Sequence, residues 1–405
     1  MSNLILVTGG LGYIGSHIVL KLIEFGYEVI IVDNCCNSDI GILKKIKMIS
    51  KKNNIKFFKY DICDQDNMDL IFEENPKIYA VIHLAALKSV PESISDSHTY
   101  YYNNVLGTTT LINSMKKYNC YNIIYSSSAT VYGNQPPPYK ETMNTGTGIT
   151  NPYGQTKFIS EQILKKITEK NPKFNAIILR YFNPVGAHKS GLIGESIDGL
   201  NLMPNLMKSL LYNTPLTVYG DDYDTTDGSC IRDFIHIDDL AYSHIISIKS
   251  LVQSPNYKTY NVGTGAGYTV LELINRFAFY YKKFPTLQIK ERRPGDLENV
   301  YADVTKIEGE LNWTSKKTLD DICRDTVNYM KTSLDITSNV IQNIDSNIPV
   351  LTLDLTQDIT HDITQDITHD ILPDLNRDIT DEINQNISQD IMPDLTSNLL
   401  HDLDT

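Results

Sequence analysis

LILVTGGLGYIG, residues 4–15, decides how this chain folds. The apolar run Leu4–Val7 leads into Gly9-x-x-Gly12-x-x-Gly15, and a helical pattern continues from Ile14 to Phe25. Spaced glycines alone say little. Between a strand and a helix each serves a physical purpose. Gly9 allows a tight turn, Gly12 lets a pyrophosphate approach the backbone, and Gly15 lets the helix pack closely on the strand. The phosphates would then face the positive end of the helix dipole. A glycine-rich turn with no ligand is the bland alternative, and the strand-to-helix setting weighs against it.

Outward from this loop the alternation continues. Apolar runs recur at Val29–Val32, Ile55–Phe58, Ala80–Leu84, Asn122–Tyr125 and Ala176–Leu179, with helical patterns at Val105–Tyr118 and Phe158–Thr168 between them. Continuous apolar strands separated by helices predict an α/β fold, a doubly wound parallel sheet of Rossmann type. The second strand ends in Asp33, placed to accept from two ribose hydroxyls and to repel a 2′-phosphate, which favours NAD over NADP. The third run ends near Asp61, within reach of an adenine amino group or simply in a turn. Ala85 and Ala86 are small where a fourth strand passes a dinucleotide.

The fifth run closes as IIYSSSATVYG, residues 123–133, and the next helix opens as NPYGQTK, residues 151–157. Asn-Pro suits a first helical turn, so Tyr153 and Lys157 stand one turn apart on one face. Such a pair is by default a surface contact. Here the serines at a carboxyl strand end should converge with it at the nicotinamide. Lys157 and the cofactor cation would then lower the phenol from ~10 toward neutrality, making Tyr153 a general base.

Composition sets the frame. With 405 residues, 41% hydrophobic and 21% charged, the chain can bury a sizeable core. No apolar secretory leader precedes the first strand, no run is long enough to span a membrane, and six cysteines show no paired spacing, so a cytoplasmic, reducing compartment is expected. The net charge of −13 is local: residues 333–405 hold 15 acidic residues and one Arg, which leaves residues 1–332 near +1. A near-neutral body carries no nucleic-acid footprint. The acidic stretch has no aromatic residue and repeats every four positions from Asp354 to Asp378, as in QDITHDITQDITHDI. A low-complexity, disordered acidic tail and a tetrapeptide-repeat interaction segment both fit, and its partner is unknown.

With these motifs in hand the chain resembles the extended short-chain dehydrogenase/reductases that act on nucleotide sugars. SSSATVYG, NPYGQTK, RYFNPVGAH (180–188), NLMP (201–204), YGDDYDTTDGSCIRDFIHIDDLA (219–241) and RRPGD (292–296) are most similar to the UDP-glucose 4-epimerases, in register over about residues 3 to 332. The resemblance implies an NAD-binding Rossmann domain at 1–182, a smaller α+β domain for a UDP-sugar at 183–332, and a tail at 333–405. It implies Ser128, Tyr153 and Lys157 as the catalytic trio. It also implies cofactor contacts from Gly9, Gly12, Tyr13, Ile14, Gly15, Asp33, Asn34, Asp61, Ile62, Ala85, Ala86, Lys88, Asn103, Tyr153, Lys157 and Tyr181. The substrate would be held by Ser128, Tyr153, Asn183, Asn201, Leu202, Arg232, Arg293, Asp296 and Val300, the two arginines suiting a diphosphate and Asp296 a ribose. No metal is implied, and a homodimer is, packed through 103–118 and 152–170.

Two positions refine the expectation. Related 4,6-dehydratases carry an acid and a base after the serine position; here Ala129 and Thr130 stand there and cannot move protons that way. Four residues after Asp296 comes Val300, where a small side chain would leave room for an N-acetyl group and a tyrosine would not. A one-residue slip would put Tyr301 there instead. Net NAD-dependent oxidoreduction, and a non-catalytic nucleotide-sugar sensor with a working tail, are the competing functions.

Overall fold

A computed structural model of the chain describes residues 3–251, 256–293 and 295–347. β1 (Leu4–Thr8) leads through the glycine turn into α1 (Tyr13–Glu24), β2 (Glu28–Val32), α2 (Gly41–Ser50) and β3 (Lys56–Phe58). Next come α3 (Gln65–Glu74), β4 (Ile78–His83), α4 (Val90–Ser95), α5 (Ser97–Tyr101), a π-turn (Tyr102–Leu106) and α6 (Gly107–Lys117). β5 (Asn122–Ser128) ends in a 3-10 turn (Ala129–Tyr132), and α7 (Pro152–Lys170) returns the chain to β6 (Asn175–Tyr181).

The later part is less regular. β7 (Asn183–Val185), α8 (Leu202–Tyr212), β8 (Leu216–Tyr219), β9 (Ile231–Arg232) and β10 (Phe234–His236) precede α9 (Ile237–Ser250) and β11 (Tyr257–Val262). β12 (Tyr268–Thr269), α10 (Val270–Tyr281), β13 (Leu287–Lys290), β14 (Asn299–Val300), α11 (Thr305–Leu311) and α12 (Leu319–Asn347) complete the described elements.

The central sheet has seven strands in the order β11-β6-β5-β4-β1-β2-β3, every neighbouring pair parallel. It is the doubly wound sheet the apolar runs predict. Ile5, Val7, Ile31, Ile82, Ile124 and Ile177 are buried between the sheet and helices that include α1 and α9. β1 lies between β2 and β4, so the winding reverses there, and the crevice beyond those strand ends is where a ligand is held in such a sheet.

Two boundaries differ from the sequence expectation. β11 pairs in parallel with β6 over Tyr257↔Ala176 to Val262↔Tyr181, so a strand from the stretch assigned to the second domain completes the first domain's sheet. Its sequence, YKTYNV, is too polar to stand out as a buried strand; the packing of α9 against α1 brings it to the sheet edge. The second boundary is at residue 333, which falls inside α12, because Ile322, Cys323, Val327 and Met330 tie that helix to the core of the smaller half. By internal packing, residues 1–338 form one unit and 339–405 another. The tetrapeptide repeat lies outside the described residues.

The smaller half is built from short pairings: β10 with β7, β9 with both β12 and β14, and β8 with β13. Asp233, fully buried between β9 and β10, holds this region together. Its carboxylate accepts from the amide and hydroxyl of Thr264 (both 2.7 Å), the Gly265 amide (3.1 Å) and the Ala302 amide (3.2 Å).

Candidate active site

The glycine loop is built as the spacing predicts. Gly9 has φ +69°, and a β-carbon there would stand 2.7 Å from the Ala85 backbone nitrogen. A β-carbon on Gly15 would stand 2.1 Å from the Gly9 carbonyl oxygen, so only glycine lets α1 start this close to the strand. One on Gly12 would meet only that same carbonyl, at 3.3 Å. Gly12 is the N-cap of α1 and brings no side chain to its amides, leaving the first turn open to a phosphate. The ends of β1 and β4 are locked together from behind: His83 bonds Thr8 (2.7 Å) and Thr108 (2.9 Å), and Thr8 also takes the amides of Leu84 and Ala85. Burial holds His83 down to about 3, so this lock is neutral.

Asp33 is buried at the end of β2, where its carboxylate accepts from Leu11 (3.0 Å), Cys35 (3.0 Å) and Ser38 (2.8 Å). An ionised carboxylate has about four acceptor positions, so capacity remains for a ribose hydroxyl. Asp61 is tied to the same rim, accepting from Asn34 (2.9 Å) and the Cys63 amide (2.8 Å). Ile62 packs under Gly107. Asn103 sits in the π-turn, a feature the sequence does not announce and one frequent at functional sites. Tyr13 donates its hydroxyl to the Gly186 carbonyl (2.7 Å). A bare glycine turn, an uncapped helix and a buried carboxylate at the next strand end fit a dinucleotide.

Ser128 ends β5 and accepts the Thr130 amide at 3.2 Å. Asn151 caps α7 by accepting the Gly154 amide (2.8 Å), which sets Tyr153 in the first turn. Lys157, one turn on, is buried and donates to the Ser126 carbonyl (2.7 Å), with its nitrogen 5.9 Å from the centre of the Tyr153 ring. The three therefore come together from two elements. A buried brace joins those elements and the next strand: Glu161 of α7 accepts from Ser127 of β5 (2.5 Å) and from Arg180 of β6 (2.9 and 2.6 Å).

One electrostatic expectation is corrected here. Tyr153 is not lowered by its neighbours in the chain. Although partly exposed, its phenol is crowded by protein atoms that push it up to about 12, against a smaller downward pull from Ser128. Lys157 is brought down to about 7 by burial, with Glu161 pulling it back up. Helical spacing aligns the two side chains but does not prevent the lysine from turning to a backbone carbonyl.

The substrate candidates meet across β7, α8, β9 and β14. Asn183 opens β7, and Asn201 with Leu202 opens α8. Arg232 and Asp296 form an ion pair, and the same guanidinium donates to the carbonyls of Ile231 and Leu297 (both 2.8 Å). The Arg293 guanidinium lies 4.0 Å from the centre of the Tyr219 ring. Val300 stands opposite Arg232 in the β14–β9 pairing and packs on the cluster of Val131, Tyr132, Tyr139, Phe182 and Ala302 beside Ser128. Tyr301 points the other way, its ring 3.5 Å from where a Gly267 β-carbon would be. Tyr181 ends β6 close to Ser126 and Tyr153, with its hydroxyl buried on His244 at 2.6 Å. Three residues were missed. Tyr219, which ends β8, and Phe182, which directly follows β6, could have been found as aromatics at strand ends, whereas Glu195, in a loop, gives no local signal.

The family profile described as "NAD dependent epimerase/dehydratase family" matches residues 5–263. UDP-glucose 4-epimerase of Pasteurella multocida is 44% identical over 331 residues, covering 81% of this chain and 97% of that protein. The Dictyostelium discoideum enzyme of the same name is 45% identical over 325 residues, covering 79% of this chain and 94% of its own. The crystal structure of UDP-glucose 4-epimerase from Bifidobacterium longum in complex with NAD+ and UDP superposes with a TM-score of 0.78 at 42% identity, over 82% of this chain and 99% of that one.

Proposed function

The chain belongs to the NAD-dependent epimerase/dehydratase family, and from that membership we propose that it interconverts UDP-hexoses at carbon 4, UDP-glucose with UDP-galactose, using NAD and Tyr153 as acid and base. The observation that carries the reading is the convergence of Ser128, Tyr153 and Lys157 at the carboxyl end of β5 beside the bare glycine loop. Gly9, Gly12 and Gly15 with the first turn of α1 would hold the pyrophosphate, and Asp33 the adenosine ribose. Bound there, NAD supplies a hydride acceptor and a positive charge beside the phenol.

Ser128 orients the hydroxyl at carbon 4. Tyr153 removes its proton as that carbon becomes a ketone, and returns the proton once the sugar has offered its opposite face. The Asn201 side chain turns to Glu195 rather than capping α8, which leaves that helix's first amides to the diphosphate. Arg232 and Arg293 complete its charge partners, and Asp296 exchanges part of its ion pair for ribose hydroxyls. Ala129 and Thr130 supply no acid and base for eliminating water, which favours epimerisation over dehydration.

Val300 on the face beside Ser128 supports a pocket wide enough for N-acetylhexosamines as well. Two copies pair through the helices around 103–118 and 152–170, beside which Ile94 of α4 and Tyr102 of the π-turn are exposed. Six free thiols suit a reducing cytoplasm, and among the described residues no helix is long and apolar enough to cross a membrane.

The purified protein should interconvert UDP-glucose and UDP-galactose without added cofactor, release NAD rather than NADP on denaturation, and accumulate no NADH during turnover. Failure to interconvert with NAD bound would overturn the reading, and NADP in place of NAD would overturn the role of Asp33.

A further inference from the structure

Glu195 lies outside the trio, the glycine loop and the diphosphate arginines, yet its carboxylate is 6% exposed. Its backbone is fixed closely. Gly194 bridges Ala187 and lies under the ring of Tyr329, where a β-carbon would stand 2.7 Å from the ring edge, so α12 presses this loop into place. The carboxylate has two hydrogen-bond partners among the described residues. The Asn201 side-chain amide donates to it at 2.7 Å, and the Lys88 ammonium at 3.4 Å from a side chain that is 55% exposed. It also stands near Tyr13, whose phenol is pushed well up by burial first and by Glu195 second. Burying a carboxylate costs free energy that one amide and one half-exposed ammonium offset poorly. Nothing in the local packing calls for a charge there.

We infer that Glu195 is a positioning residue shared by the two halves of the site: it turns the Asn201 amide toward the UDP-sugar and anchors the Lys88 ammonium on the cofactor side. This rests on the proposed function and on the substrate and cofactor contacts that the family resemblance implies for Asn201 and Lys88. A carboxylate only accepts, so the edge of Asn201 that faces it has to be the NH2, and the atom left for a ligand is Oδ1, an acceptor. With its side chain held by Glu195, Asn201 cannot fold back to cap α8, and its main-chain carbonyl already accepts from Asn205 (2.9 and 3.2 Å). One buried group thus fixes both a donor-seeking oxygen at the sugar nucleotide and a cation at the dinucleotide.

The two roles can be separated by substitution, using the full chain as purified with its cofactor. Glu195→Gln keeps an acceptor for Asn201 but removes the charge opposite Lys88; Glu195→Ala removes both. Binding of UDP by calorimetry, NAD retained after dialysis, and KM and kcat for UDP-galactose give independent readouts. Glu195→Ala should weaken UDP and raise KM about tenfold, the loss of one hydrogen bond to a charged group, while kcat changes little. Glu195→Gln should bind UDP as the parent does yet lose NAD as readily as Glu195→Ala. Combining Glu195→Ala with Asn201→Ala should weaken UDP no further than Asn201→Ala alone, a non-additivity that general destabilisation would not produce.

Parent-like UDP affinity and NAD retention in Glu195→Ala would overturn the inference, as would additive losses in the double variant. Equal loss of UDP affinity in Glu195→Gln and Glu195→Ala would overturn the orienting role. If the parent bound UDP and NAD but failed to epimerise, the functional reading would fall while the binding readouts still decided Glu195.

Discussion

At the scale of single residues, the proposed mechanism puts proton control in Tyr153 and Lys157. Tyr153→Phe keeps the ring and its packing but removes the proton carrier. Turnover should fall by at least about 100-fold with bound NAD unchanged; turnover close to the parent's would remove Tyr153 from the acid/base role. On the proposed reading Lys157, charged once the cofactor is bound, acts on the phenol as an ammonium. An ammonium favours a nearby phenolate and lowers its pKa, so its removal raises that pKa. Burial already pushes Tyr153 up to about 12, and Lys157→Met should shift the acid limb of the kcat profile to higher pH by more than about one unit. An unmoved limb would mean the lysine serves only to bind. On the same proposed reading Val300 gates the sugar pocket. Val300→Tyr should abolish conversion of UDP-N-acetylglucosamine while sparing UDP-glucose, because added bulk in a packed wall excludes sharply whereas spare room costs little. No N-acetylhexosamine activity in the parent would refute the pocket reading.

At the scale of elements, the site depends on β5, α7 and β6 keeping their spacing. Glu161 joins all three through Ser127 and Arg180, and at 1% and 5% exposure neither charged partner can turn to water. Glu161→Ala leaves a buried guanidinium unpaired and should cost about 3–5 kcal/mol of unfolding free energy. Denaturant titration would show this as a lower midpoint at unchanged slope; a loss below about 1 kcal/mol, the size of a surface pair, would mean that the brace is slack. Some elements were readable and others not. α7 announces itself through Asn151-Pro152, since the cap and the proline both act locally. β11 is mixed in polarity and the strands of the β12-β9-β14 group are short, and both exist only because distant partners complete their hydrogen bonds.

At the scale of the whole molecule, the acidic stretch should be separable from the chemistry. All proposed site residues lie within the unit 1–338, while α12 contributes Ile322, Val327 and Met330 to its core, so a cut belongs after Ser338 rather than at residue 332. The chain ending at Ser338 should retain NAD and epimerise at the full-length rate; loss of activity with the shortened chain still folded would make residues 339–405 part of the enzyme. The sequence by itself determined the parallel sheet, the dinucleotide loop and the Ser128, Tyr153 and Lys157 set, because apolar runs, glycine sterics and one helical turn are interactions over a few residues. Tertiary structure alone decided that Val300 packs on the Tyr132 and Tyr139 cluster while Tyr301 turns toward Gly267, that Tyr181 buries its hydroxyl on His244, that crowding raises the Tyr153 phenol where Lys157 was expected to lower it, and that Glu195 meets both Asn201 and Lys88. Those outcomes depend on desolvation and on partners far away in the chain, which no local pattern records.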